Sequence, residues 1–501
     1  MELNENELNS LQNLFETIPG TRPMLPRIHF GTDGIRGILG KEFTLDLFRA
    51  AAQAVAQHIG DKPPKGKSGI IVGHDTRFLG RRFAMVVAYE LAAKGQEVFL
   101  TESFCPTPVL AHHVWRNNMA AGIMLTASHN PPEYQGFKFI PYFGGPALPE
   151  DTDKLDGILA GFSTGGTSFG KFDKSILDKI KIVDPRAGYI NHLSEFVNFD
   201  AISQSKLHIV YDPMYGCGQG YFDEALYEYG FPEDSIEVIH DDIDPLFGGF
   251  MPEPKEMFLG PLKDELNWGY NIGFATDGDA DRFAAVDAEG NYYSPNVLLF
   301  ILAHHLIESR SIQGPIARTV ATTGLLDKAA KHHGREVIET PVGFKYISKA
   351  LREDGAMLGG EESGGFSSKG WVPEKDGIYA CLLTLEALAC SGHHKLSDLL
   401  NSLYRKYGKL VSTRIDLHIS PNEKDALMHR AGDLKGPFIG QQVVKRITID
   451  GIKLVLSDDS SVLLRPSGTE PVVRCYLEAP DDKALASFES EVKKALGLGA
   501  A

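Results

Sequence analysis

From Thr44 onward, apolar residues fall at Leu45, Phe48, Ala52, Val55 and Ile59. This 3-4-3-4 spacing predicts an amphipathic helix with Thr44 as its N-cap. The pattern then changes. GIIVG (69–73) is a short apolar run of the kind a buried strand needs, a helix is expected around 81–94, and EVFL (97–100) is the next strand. A helix around 107–117 and the strand GIML (122–125) follow. The alternation restarts twice. LHIVYDP (207–213), a helix around 220–229, IEVIH (236–240) and NIGFATDGD (271–279) form a second series. PIARTVATT (315–323), REVIET (335–340), AMLGG (356–360) and helices around 325–333 and 346–352 form a third. Strands alternating with helices predict mostly parallel sheets covered by helices.

The C-terminal stretch reads differently. TRIDLHI, GIKLVLSD, SVLLRPSG and VVRCYLE alternate apolar and polar positions, and a helix follows at about 482–496. That is the pattern of an antiparallel sheet with one wet face, in a small α+β domain. Residues 1–26 read as an amphipathic helix and a Pro-containing linker, and GFSTGGTSFGKFD (161–173) as a Gly/Ser linker. The expected division is an N-terminal extension (1–26), then domains over 27–165, 166–292, 293–408 and 409–501. A chain of 501 residues is too long for one core, which agrees.

Composition narrows the partners. With 43% hydrophobic and 23% charged residues the chain is ordinary globular protein. Its net charge of −16 argues against nucleic acid or an anionic membrane as partner, but not against a small anion in a locally basic pocket. The five cysteines (105, 217, 381, 390, 475) are scattered without a CxxC, as reduced thiols are. MELNENELNSLQNLFETI lacks the basic and apolar regions of a signal peptide, and no run approaches the ~20 apolar residues of a membrane span. A cytoplasmic monomer or homodimer is expected.

Candidate chemistry falls just after predicted strands, where α/β sheets bind their ligands. TASHNPPEYQGFK (126–138) follows GIML and is read as a rigid loop holding the Ser128 hydroxyl in the open. The ordinary work of a lone loop serine is to satisfy a turn. A serine hydrolase would need GxSxG, which is absent; the stretch suits a serine that carries a phosphoryl group beside a metal and cationic neighbours. TDGDADR (276–282) places Asp277, Asp279 and Asp281 at alternate positions. Solvated turn aspartates are the bland alternative. An EF-hand is excluded because its required Gly and Glu positions hold Arg282 and Ala288. Three carboxylates this close repel unless a cation sits among them, and Mg²⁺ fits hard oxygen ligands. GGEESGG (359–365) offers Glu361 and Ser363 as acceptors for hydroxyl groups, although a surface loop would look the same. RPSGTEPVVR (465–474) gathers Arg465, Ser467, Gly468, Thr469 and Arg474 into an anion nest, against the alternative of a turn with exposed arginines. FGTDGIRG supplies Arg36 and TPVGFKYI supplies Lys345. His129 alone is more often a hydrogen-bonded loop residue, and His74 a structural one.

Together these segments resemble the α-D-phosphohexomutase superfamily, with four motifs in the family's order between about residues 28 and 480. TASHNPPEYQGFK resembles its phosphoserine loop, TDGDADR its metal loop, GGEESGG its sugar loop and RPSGTEP its phosphate loop. The resemblance implies a four-domain, heart-shaped architecture, three α/β domains with mixed sheets and a smaller α+β C-terminal domain. It implies that Ser128 is phosphorylated and holds Mg²⁺ with Asp277, Asp279 and Asp281. Arg36, His129, Lys138 and Arg282 would line the transfer site, with Lys138 a candidate acid/base. Glu361 and Ser363 would bind the sugar, with Lys345 beside them, and Arg465, Ser467, Gly468, Thr469 and Arg474 the non-reacting phosphate. PPEYQGFK and EESGG resemble the phosphoglucomutase/phosphomannomutase branch more than the phosphoglucosamine branch. The activity implied is glucose 1-phosphate ⇌ glucose 6-phosphate through a 1,6-bisphosphate that also serves as activator. A phosphomannomutase, or a bispecific enzyme, is the alternative within the family. A non-catalytic sugar-phosphate sensor or scaffold, and a metal-dependent phosphatase, are alternatives of other classes.

Overall fold

The computed structural model describes residues 5–16, 30–31, 34–61, 64–165, 169–433, 437–467 and 472–496. Two compact units divide the chain: Met1–Ser294 with Gly364–Leu396, and Pro295–Ser363 with Ser397–Ala501.

The first unit contains two mixed sheets. In one, the strand order is Ile35–Ile38, Tyr134–Pro141, Ala121–Leu125, Ile70–His74, Val98–Thr101, Ile180–Val183. The four from Ala121–Leu125 onward pair parallel; Tyr134–Pro141 runs antiparallel to both of its neighbours. Every residue of IIVGH and AGIML is buried, as central strands covered on both faces must be. The covering helices include Leu45–Asp61, Gly80–Ala93 and Thr107–Arg116. Thr44 does cap the first, its Oγ1 accepting from Leu47 N at 3.3 Å. Phe48 stacks on Phe83 with centroids 4.3 Å apart, locking two of these helices together. The helix Glu5–Glu16 adds Leu11 and Phe15 to the same core. The rest of the proposed N-terminal extension (1–26) lies outside the described residues. The proposed Gly/Ser linker is partly helical, since Pro149–Gly165 runs into it.

The second sheet orders Tyr292–Tyr293, Phe283–Asp287, Ile272–Thr276, Ile209–Asp212, Ile236–Val238, with parallel pairing among the last three. The helix Gly377–Cys390 completes this unit, capped by Asp376, whose carboxylate accepts from Tyr379 N.

In the second unit, Ile316–Thr319 pairs parallel with Val337–Thr340 and Leu358–Gly360. A five-stranded antiparallel sheet orders Val411–His418, Val472–Ala479, Ser461–Pro466, Ile452–Leu456, Val443–Ile447. The two layers share an apolar seam of Val320, Ala321, Ile447, Leu463 and Tyr476. Among the described residues, no helix is long and apolar enough to cross a membrane.

Candidate active site

The Ser128 loop is held by its neighbours. Arg77 threads beneath it, donating from Nη2 to the carbonyls of Ser128 (2.7 Å) and Asn130 (2.5 Å), and from Nη1 to that of Pro131 (2.7 Å). Asp75 pairs with the same guanidinium at 3.2 Å. Ser128 itself has φ 51°, a left-handed conformation that a non-glycine residue holds only when its surroundings enforce it. Its amide donates to Thr126 Oγ1 at 2.8 Å. The hydroxyl is therefore not in the open, as the sequence suggested: Ser128 has 0% exposure. The reason is the 276–282 loop, which backs directly onto it. A Cβ on Gly278 would lie 2.7 Å from the Ser128 carbonyl oxygen, so only glycine allows this approach.

The second half of TASHNPPEYQGFK is strand rather than loop. Residues Tyr134–Pro141 form an antiparallel return strand, and Met124 is the register partner of Lys138. The strand thus delivers the Lys138 ammonium to the aspartates, 2.7 Å from Asp279 Oδ2 and 3.0 Å from Asp281 Oδ2.

Asp277, Asp279 and Asp281 are each 0% exposed. One ligand oxygen from each lies within 4.8 Å of the others. Ser128 Oγ donates to Asp277 Oδ2 at 2.9 Å. Asp277 Oδ1 accepts from the amides of Asp281 and Arg282, while Thr107 Oγ1 donates to Asp279 Oδ2 at 2.6 Å. Burial, and then the charges of Asp279 and Asp281, push the Asp277 carboxyl well above the usual carboxylate range. Oδ1 of Asp281 is buried and accepts no hydrogen bond from any described residue. Hard oxygens, mutual repulsion and this unsatisfied acceptor all fit a divalent cation.

Arg36 and His129 flank the loop. Arg36 Nη1 donates to Asn130 Oδ1 at 3.0 Å, and His129 Nδ1 lies 3.2 Å from Ser128 Oγ. Burial, then the charges of Arg282 and Arg36, hold His129 well below the ordinary histidine range, so the ring is neutral at pH 7. Arg282 reaches Glu253 at 3.5 Å and Asp281 at 3.8 Å.

The structure adds groups that sequence reasoning missed. Lys375 Nζ is 3.3 Å from Asp281 Oδ2 and 3.1 Å from Glu374 Oε1, so two buried lysines face the aspartate cluster. Its signal was present: a lysine between Glu374 and Asp376, immediately before the apolar helix that Asp376 caps. Arg77 and Thr107 gave no signal, because their roles are defined by segments distant in the chain.

The remaining candidates belong to the second unit. Glu361 is buried and accepts from Gly343 N at 2.8 Å. Ser363 is exposed two residues on. Lys345 sits in the first turn of the helix Phe344–Glu353, its ammonium 5.3 Å from the Tyr346 ring centroid. Arg465 and Arg474 are register partners on adjacent strands. Like charges directly opposite destabilise a sheet, and the Asp450 carboxylate, 2.8 Å from Arg465 Nε, offsets one of them. Ser467 follows Arg465 and is buried, its amide donating to Val472 O at 2.8 Å. Gly468 and Thr469 lie outside the described residues. Arg414, which the sequence did not single out, pairs bidentately with Asp416 at 2.8 and 2.6 Å, and Asp416 is the register partner of Arg474.

Comparison with known proteins now decides the family. Four stretches match the phosphoglucomutase/phosphomannomutase domains in order: alpha/beta/alpha domain I over residues 27–163, domain II over 187–290, domain III over 294–407 and the C-terminal domain over 421–495. The chain belongs to the phosphoglucomutase/phosphomannomutase family. It is thus a member of the α-D-phosphohexomutase superfamily and an enzyme of the mutase type, with the four-domain architecture of that family. A protein named probable phosphoglucosamine mutase from Methanothermobacter thermautotrophicus is 32% identical over 91% of this chain and 95% of its own length. The phosphoglucomutase of Komagataeibacter xylinus is 29% identical over 94% of this chain and 91% of its own. A crystal structure of a phosphoglucomutase/phosphomannomutase family protein from Burkholderia thailandensis superposes with a TM-score of 0.79 at 26% identity, covering 95% of this chain and 99% of that one. Members of the phosphoglucomutase/phosphomannomutase family thus include relatives named for different sugars.

Proposed function

We propose that this family member interconverts glucose 1-phosphate and glucose 6-phosphate through a phosphoserine at Ser128 and a glucose 1,6-bisphosphate intermediate. The observation that carries the reading is the 2.9 Å hydrogen bond between the Ser128 hydroxyl and one carboxylate of a buried aspartate cluster, with Lys138 against the other two. Asp277, Asp279 and Asp281, with the Ser128 phosphate, would hold Mg²⁺, which supplies charge neutralisation for a transferring phosphoryl group.

The chain's own groups do the rest. The sugar hydroxyl oxygen forms a bond to phosphorus as the bond from phosphorus to Ser128 Oγ breaks. Lys138 gives a proton to the departing serine oxygen and takes one from the attacking hydroxyl. Arg36, Arg282 and neutral His129 offer hydrogen-bond donors to the oxygens on which charge develops. Arg465, Ser467, Gly468, Thr469 and Arg474 hold the phosphate that is not reacting, and Glu361, Ser363 and Lys345 orient the sugar. The bisphosphate then turns over, and its other phosphoryl group returns to Ser128 by the same exchange.

A second sugar is favoured by one finding: relatives such as the Methanothermobacter protein carry the name phosphoglucosamine mutase. The experiment is a coupled assay with the 1-phosphates of glucose, mannose and glucosamine, Mg²⁺ and a trace of the matching bisphosphate. Glucose 1-phosphate should give the highest kcat/KM. Ser128→Ala should lose about 10⁴-fold or more in turnover, and wild-type protein should carry a fraction heavier by one phosphoryl group at Ser128. A Ser128→Ala enzyme that retains near-normal rate sinks the phosphoserine role, and stoichiometric phosphate release would indicate a phosphatase instead.

A further inference from the structure

In the second unit, one carboxylate sits between two loops that the proposed function uses separately. Asp450, on the turn joining Val443–Ile447 to Ile452–Leu456, accepts from Arg465 Nε at 2.8 Å and from the Val342 amide at 3.0 Å, both on Oδ2. The next amide, Gly343 N, donates to Glu361 Oε1 at 2.8 Å. Consecutive amides of one turn therefore face opposite ways, one to the carboxylate that holds Arg465 and the other to Glu361. Two residues on, the same segment carries Lys345.

The turn is built to hold this position. Gly343 has φ 129°, outside the range that side-chain-bearing residues adopt. Gly451, beside Asp450, has φ 96°, and a Cβ there would lie 2.3 Å from the Leu464 carbonyl oxygen and 3.0 Å from Arg465 Cα. The Asp450 turn is thus pressed against the backbone of the residue whose side chain it grips. Val342 packs on the seam formed by Val320, Ala321, Ile447, Leu463 and Tyr476. The seam fixes the turn, and the turn fixes both hydrogen bonds.

We infer that Asp450 is a positioning residue that couples the phosphate loop to the sugar loop, through Arg465 on one side and the 342–343 amides and Glu361 on the other. This rests on the reading that Arg465 takes a phosphate and Glu361 the sugar. By engaging Nε, Asp450 sets the plane of the guanidinium and directs its terminal nitrogens, the edge that grips phosphate bidentately. Occupancy of that edge then bears on the 342–343 turn through the shared carboxylate oxygen. Recognition of the phosphate and recognition of the ring are expected to depend on one another.

The test is a mutant cycle on binding of glucose 6-phosphate, measured by calorimetry in a full-length Ser128→Ala background that cannot turn over. Arg465→Ala and Glu361→Gln should be coupled by about fivefold or more with Asp450 present, and the coupling should vanish in Asp450→Ala. Asp450→Asn, which keeps an acceptor for the Val342 amide and loses the charge on Arg465, should retain part of it, and guards against a folding defect in the alanine variant. Coupling that persists without Asp450, or additive losses with it, overturns the assignment and leaves the functional reading standing. A protein that binds none of glucose, mannose or glucosamine 6-phosphate overturns both.

Discussion

Replacing Asp279 with asparagine tests whether the aspartate cluster is made for a cation. Its ligand oxygens lie within 4.8 Å of one another, so at an effective dielectric constant of about 20 each pair repels by roughly 3.5 kcal/mol or more. Asp279→Asn removes two such repulsions, about 7 kcal/mol. It also removes the attraction to Lys138 at 2.7 Å, which is about 6 kcal/mol on the same scale. The two nearly cancel, so in chelator the variant should be about as stable as wild type. In Mg²⁺ they should part. At a concentration 100-fold above Kd, wild type gains about 2.7 kcal/mol, whereas a variant with affinity reduced ~100-fold gains about 0.4. Thermal unfolding of both proteins in EDTA and in MgCl₂, at matched ionic strength, measures this without any assay of activity. Wild type should rise by several degrees and the variant by one or less. If both rise equally, or if EDTA alone leaves Asp279→Asn far less stable than wild type, the cluster is structural and the argument from repulsion is wrong.

Two further outcomes follow from buried groups. Lys453 is buried, donates to Val320 O at 2.9 Å, and is pushed down to about 8 by burial, with Arg318 lowering it further. Its folded value is below its unfolded one, so stability falls as pH drops from about 10.5 to 8 and is flat below; relative to Lys453→Met, denaturant titrations should show wild type gaining about 3 kcal/mol as pH rises across that window. Gly278→Ala would place its Cβ 2.7 Å from the Ser128 carbonyl oxygen and 3.1 Å from Pro252 Cγ, so it should cost about 1–3 kcal/mol in chemical denaturation and abolish most of the Mg²⁺ response; retention of that response would refute the close packing of the two loops.

The parts of the fold that were legible from sequence are an amphipathic helix and short apolar runs bounded by polar residues, too short for a buried helix. The helix after Thr44 and the strands 70–74 and 121–125 fall within a residue or two of where periodicity placed them. The helices Pro295–Glu308 and Gly377–Cys390 were missed for a physical reason. Both are apolar nearly all round because they are buried on every side, so no polar stripe marks their period. The strand Tyr134–Pro141 was missed because two prolines and a polar start disguised it as loop, whereas all of its residues after Tyr134 are buried. At the candidate site, the residues that sequence could single out are those that share a contiguous motif, since their chemistry is visible in a few letters. Lys375 and Asp450 were not. Asp450 acquires its place from a partner 108 residues away, Val342, and no local pattern records that; Lys375 meets Asp281 94 residues away, and its only local sign was the charged run before the helix that Asp376 caps.

The two units carry opposite versions of one physical problem. In the first, three carboxylates crowd together without exposure to water, and Lys138 and Lys375 are drawn against them. In the second, Arg465 and Arg474 stand opposite each other on neighbouring strands, with Asp450 bound to Arg465 and Asp416 opposite Arg474 in register. The basic pair cannot be attributed to an overall surplus of charge, because the chain is acidic. In both, a counter-charge offsets the mutual repulsion without removing its cause. On the proposed function, like charges held together in this way are sites for ligands of the opposite sign: a divalent cation would answer the first and a phosphate the second, as a phosphorylated sugar handled by a phosphoserine enzyme would require.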